Sequence, residues 1–109
     1  MPFDQILAKR IRDELSNISG IVEKKKFGGV GFLIRGNMAC GVHKEDLIVR
    51  VGSAGYAEAL THPQVRPFDM TGKPMAGWIM VFPGGLATDD DLKSWIRQGV
   101  EFAQTLPTK

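Results

Sequence analysis

Two hydrophobic periods divide the chain. Phe3, Ile6, Leu7, Ile11, Leu15 and Ile18 recur at helical spacing, with Lys9, Arg10, Arg12, Asp13 and Glu14 between them. That spacing predicts an amphipathic helix over about 4–16, ended by Ser19-Gly20. From Ile21 the period shortens to two, which predicts strands at about 21–27, 29–34, 38–43 and 46–51. Arg35-Gly36-Asn37 and Lys44-Glu45 are tight connections, so successive strands form antiparallel hairpins. Ser53 is the expected cap of a short helix over 54–60, closed by Thr61-His62-Pro63. Residues 65–70 read as irregular chain or a short strand, and 76–82 as a strand of continuous apolar character ended by Pro83-Gly84-Gly85.

The last helix carries the clearest signals. Thr88 with Asp91 three residues later approximates a capping box, and Asp89, Asp90 and Asp91 put negative charge at the positive end of the helix dipole. Leu92, Trp95, Ile96, Val100, Ala103 and Leu106 make one apolar stripe, which Pro107 ends. The order is helix, three or four strands, helix, one or two strands, helix. It predicts an α+β fold of two layers, with the helices packed on an antiparallel sheet of about five strands. No repeat, low-complexity tract or linker interrupts it, so 1–109 reads as a single domain.

Composition narrows the classes. Of 109 residues, 43% are hydrophobic and 24% charged, the balance of a globular chain and not of a disordered one. A net charge of +2 does not by itself call for nucleic acid. The basic excess sits in residues 1–50, which carry nine Lys/Arg against six Asp/Glu. Cys40 is the single cysteine, which excludes a disulfide framework and a Cys-x-x-Cys pair. The N-terminus has no secretory-signal pattern, and the longest apolar stretch is far short of a membrane span, so a cytoplasmic location is expected.

The glycines of Lys26-Phe27-Gly28-Gly29-Val30-Gly31-Phe32 suggest a nucleotide loop, but a phosphate cradle needs strand, glycines and then a helix start. Here an apolar run and a turn follow, without G-x-G-x-x-G spacing or a Walker lysine. Lys26 to Phe32, Asp46-Leu47-Ile48-Val49-Arg50-Val51, Phe68-Asp69-Met70-Thr71-Gly72-Lys73-Pro74-Met75 and Gly77-Trp78-Ile79-Met80-Val81 together resemble the N-terminal domain of the TfoX/Sxy family, bacterial regulators of natural competence. Asp91-Leu92-Lys93-Ser94-Trp95 and Leu106-Pro107 resemble its stand-alone members. The resemblance covers nearly the whole chain. It implies the two-layer α+β arrangement also seen in secretion chaperones, and a stand-alone domain without the second, C-terminal domain of the full regulators.

Chemistry-bearing residues are few. Cys40, His43 and Asp46 do not make a nucleophile, base and orienter, because residues three apart on one strand point to opposite faces. Cys40 reads as a small buried hydrophobe and His43 as solvated. Asp89–Asp91 lacks the alternating carboxylates, glycine and distant glutamate of a calcium loop. His43 and His62 have no partners at metal-ligand spacing, so neither metal nor cofactor is expected. Gly72-Lys73-Pro74-Met75 reads as a turn.

The pleat gives a candidate face. With Val30, Phe32, Ile34, Met38, Cys40, Val42, Leu47, Val49, Val51, Trp78, Met80 and Phe82 toward the helices, the other face carries Gly29, Gly31, Leu33, Ala39, Gly41, His43, Ile48, Arg50, Gly77, Ile79 and Val81. An open sheet face normally carries polar residues in alternation, so this small, apolar one either meets a protein partner or a second copy, or has glycines that admit a helix close to the sheet, or is the reverse of the face assigned here. The alternative is nucleic acid, held by Lys24, Lys25, Lys26 and Arg35 with Phe27 or Phe32 stacked on a base. Against it, lysines on an edge strand also block sheet-to-sheet aggregation. An enzyme or small-ligand site built from residues distant in sequence is the third reading.

Overall fold

In the computed structural model, residues 4–26, 29–69 and 76–108 are described. Phe27, Met70 and the turn at Gly72-Lys73-Pro74-Met75 lie outside them.

The chain opens with helix α1, Gln5–Glu14. Asp4 caps it, its carboxylate accepting from the N–H groups of Ile6 and Leu7 at 2.9 and 3.1 Å. Four strands follow: β1 (Ile21–Lys26), β2 (Gly29–Ile34), β3 (Asn37–His43) and β4 (Asp46–Arg50). Arg35 and Gly36 both take positive φ, 52° and 84°, which suits the two-residue hairpin turn that closes Ile34 on Asn37.

Helix α2, Gly52–Ala59, begins two residues earlier than the sequence suggests. Ser53 is not its cap: Val51 holds that position and no side chain caps the helix. The reason is Gly52, whose φ of +80° turns the chain out of β4 directly into the helix. Two further strands, β5 (Val65–Pro67) and β6 (Trp78–Val81), precede a 3₁₀ turn at Pro83–Gly85 and helix α3, Asp89–Gln104. Thr88 caps α3 by accepting from the Asp91 N–H at 3.1 Å, as its spacing predicts.

The fold is α+β with one antiparallel sheet of six strands in the order β1-β2-β3-β4-β6-β5. The sixth is the short strand at Val65–Pro67, and β6 lies inside it, against β4.

The helices pack on one face. Leu7, Ala8 and Ile11 of α1 and Leu92, Trp95, Ile96, Val100 and Ala103 of α3 meet Val30, Phe32, Ile34, Cys40, Val42, Leu47, Val49, Ile79 and Val81 in one buried cluster. The other face carries a second, smaller cluster of Leu33, Met38, Ile48, Phe68 and Met80, with Trp78 and Phe82 packed against it. Strands β2, β3, β4 and β6 are therefore buried on both sides, while β1 is largely exposed.

Two expectations about the faces are corrected here. Ile79 and Val81 face the helices, while Trp78, Met80 and Phe82 face away. An uninterrupted apolar strand carries no parity of its own, and pairing with β4 decides it. Met38 also faces away, because Phe32 pairs with Cys40 but Leu33 with Met38. Ala39 is the extra residue of a bulge, and the bulge inverts the alternation on one side of it.

Helix α3 sits on that bulge. A Cβ at Gly99 would stand 2.3 Å from the Ala39 carbonyl oxygen, so only glycine permits this approach. In an unconstrained helix, Gly→Ala stabilises by about 1 kcal/mol. Here Gly99→Ala is expected to destabilise by about 1–3 kcal/mol, because the helix must lift off the strand. Urea denaturation of the two chains checks the sign.

Candidate interaction face

The sequence-derived face does not survive as one exposed surface. Ala39, Ile79 and Val81 lie in the helix-side core with no exposed area. Leu33 and Ile48 belong to the second cluster and are buried, as are Gly29, Gly31, Gly41 and Gly77. His43 and Arg50 retain partial exposure. Phe68 explains part of the covering. Its N–H donates to the Trp78 carbonyl at 3.2 Å, and its ring lies 6.4 Å from both His43 and Trp78, so the chain after β5 stays on this face.

What remains accessible there is polar and aromatic. Arg50 stands directly across from Trp78 in the β4–β6 pair, its guanidinium 5.1 Å from the Trp78 ring centre and 5.4 Å from that of Phe102. Arg66 lies 5.3 Å from the Phe82 ring centre. Asp46 pairs across from His43, and partial burial, with Glu45 beside it, pushes its carboxyl up against the opposing pull of Arg66, His43 and Lys44. His43 Nδ1 is buried and has no hydrogen-bond partner among the described residues.

The basic residues of the alternative reading are not brought together. Lys26 pairs with Gly29 at one end of the β1–β2 hairpin and Ile21 with Ile34 at the other, so Arg35 lies at the far end from the lysines. Lys24 and Lys25 are exposed, on opposite faces of β1. Phe32 has no exposed area and cannot stack on a base. Phe27 and the Lys26 side chain lie outside the described residues.

Strand β1 itself forms one edge of the sheet. Val22 on it is 49% exposed. Arg12 of α1 grips the strand through a two-pronged contact with the Glu23 carboxylate, which also raises the Arg12 pKa. Sequence reasoning missed the pairing of Arg50 with Trp78 and Phe102. Phe102 lies off the apolar stripe of α3, and nothing local links it to β4.

The remaining candidates have structural roles. Asp89 meets Arg10, which also donates to the Leu86 carbonyl at 3.0 Å and so ties α1 to the entry of α3. His62 accepts the Gln64 N–H at 3.1 Å and packs edge-on to Trp95 beside a groove of about 500 Å³ between α2 and α3. No group of three or more His, Cys, Asp or Glu among the described residues is placed to hold a metal ion, and none of their helices is long and apolar enough to cross a membrane.

Cys40 has no exposed area, and burial pushes its thiol up to about 12. It faces the helices while His43 points the other way, so the two do not form a catalytic pair. A thiol reagent is expected to label the protein only after denaturation. An unfolded thiol ionises near 9 while the folded one keeps its proton. Stability is therefore expected to fall as pH rises from about 9 toward 12, and a Cys40→Ala chain to lack this component of the decline. Denaturation midpoints across that range check the sign.

A model of the TfoX N-terminal domain matches residues 13–103. No curated protein and no solved structure matches the chain. With the match spanning most of its length, the chain belongs to the TfoX N-terminal domain family.

Proposed function

We propose that the chain is a non-catalytic regulatory module of the competence-regulator type, acting by contact with another protein. The observation that carries this reading is the edge strand. β1 runs six residues, pairs on one side with β2 and presents Val22 half-exposed among Lys24 and Lys25. An open edge of this kind accepts an extended segment as a further strand, with main-chain hydrogen bonds supplying affinity and side chains supplying specificity.

A second copy and a different partner would meet different charges at this edge. Pairing across a two-fold axis normal to the sheet must keep like faces together, so the axis runs midway between one residue and its own copy. Of the two registers that pair most of β1, one puts Glu23 opposite its own copy, and the other puts Lys24 opposite its own copy with Glu23 opposite Lys25 on either side, so neither is free of a like-charge pair. A strand carrying acidic residues opposite Lys24 and Lys25 meets no like charge there. Burial of Cys40 and its separation from His43 further support a binding role over nucleophilic chemistry.

The test is recovery of partners on the tagged chain from native lysate, with and without nuclease, compared with Val22→Asp. One protein retained after nuclease, and reduced about tenfold or more by Val22→Asp at unchanged melting temperature, is the expected result; that ratio corresponds to about 1.4 kcal/mol. Partners that vanish with nuclease would replace this reading with nucleic-acid binding. Recovery of nothing, or recovery indifferent to Val22→Asp, would overturn the edge-strand assignment.

A further inference from the structure

Arg50 differs from the other arginines tied into the fold. Arg10 and Arg12 spend their guanidinium groups on protein acceptors, the Leu86 carbonyl with Asp89 and the Glu23 carboxylate. Arg66 has Asp46 in its electrostatic neighbourhood. Arg50 is partly buried, yet among the described residues its guanidinium makes no hydrogen bond and no ion pair. Its contacts are with two aromatic rings, Trp78 from the neighbouring strand and Phe102 from α3.

Those contacts have a chemical consequence. Aromatic rings attract the cation through their π-systems and take no N–H hydrogen from it. They restrict where the guanidinium sits while leaving its planar fork of donors unused. That fork matches two oxygens of a carboxylate or phosphate at once. The position is also fixed from below, because Arg50 ends β4 in register with Trp78, and the next backbone groups, Val51 and Gly52 N–H, both donate to the Gly77 carbonyl at 2.8 and 3.1 Å. The ordering of the cation is thus largely complete before any ligand arrives, which lowers the cost of binding.

We propose that Arg50, held between Trp78 and Phe102, is a binding site for an oxyanion, a carboxylate or phosphate group that takes the guanidinium fork edge-on. The site lies on β4, three strands from the β1 edge, and does not depend on the partner reading above.

The test is a titration of the isotopically labelled chain with inorganic phosphate and, separately, with acetate, each against sodium chloride at matched ionic strength. The Arg50 Nε–H and Trp78 indole N–H resonances are followed, with the Trp95 indole as internal control. Saturable shifts at Arg50 and Trp78 that leave Trp95 still are expected. A response to phosphate alone assigns a phosphoryl ligand, and one to acetate alone assigns a carboxylate. Arg50→Lys keeps the charge without the fork and is expected to weaken binding about tenfold, while Arg50→Gln abolishes the Trp78 response. Melting curves establish that both variants fold; if neither does, the wild-type comparison of oxyanion with chloride still decides. No saturable shift with either anion, equal shifts with chloride, or an unchanged Trp78 response in folded Arg50→Gln would overturn the proposal.

Discussion

The pairing of β4 with β6 is the constraint on which the rest of the structure depends. It sets Leu47 against Val81 and Val49 against Ile79 on the helix side, and Ile48 against Met80 on the other. Since both faces of β4 are buried, a one-residue slip would exchange the two sets and place each in a cluster shaped for the other. The same register puts Arg50 beside Trp78. It also carries β5 to the outer edge and brings Phe68 over the face that the helices leave uncovered.

Helix α3 is the second organising element, and it acts along its whole length. Its entry is capped by Thr88 and tied to α1 through Arg10. At its middle, Gly99 rests on the β3 bulge. Near its end, Phe102 packs against Gly52 and beside Arg50. Beyond it, the buried Asn37 side chain donates to the Pro107 carbonyl at 2.8 Å, holding the chain that leaves the helix against the β2–β3 turn. A helix placed by backbone contact at one point and aromatic contact at another has little freedom to slide. That rigidity positions a ring over the end of β4.

The two proposed binding surfaces lie at different ends of this framework. At the β1 edge, the Arg12–Glu23 contact joins helix to strand. A largely exposed ion pair of this kind contributes little stability. In the proposed reading, the lysines there meet the charges of an acidic segment. At the end of β4, by contrast, a cation lies against two aromatic rings without a side-chain acceptor among the described residues. One surface offers backbone and the other a single forked donor set, so they suit different ligand groups.

The sequence by itself determined the element types, the hairpins, the capping of α3 by Thr88 and the structural role of Cys40, because each follows from neighbours a few residues apart. Family membership was legible for the same reason, in short motifs spread along the chain. Only the tertiary structure decided the faces. Trp78–Val81 is apolar throughout and has no internal parity, and the bulge at Ala39 inverts the alternation on which any reading of β3 relies. The proposed site at Arg50 was half visible: the residue stood out as a charge among apolar neighbours, but its rings come from β6 and α3. Contacts between residues tens of positions apart are set by packing and register, which a local pattern does not encode.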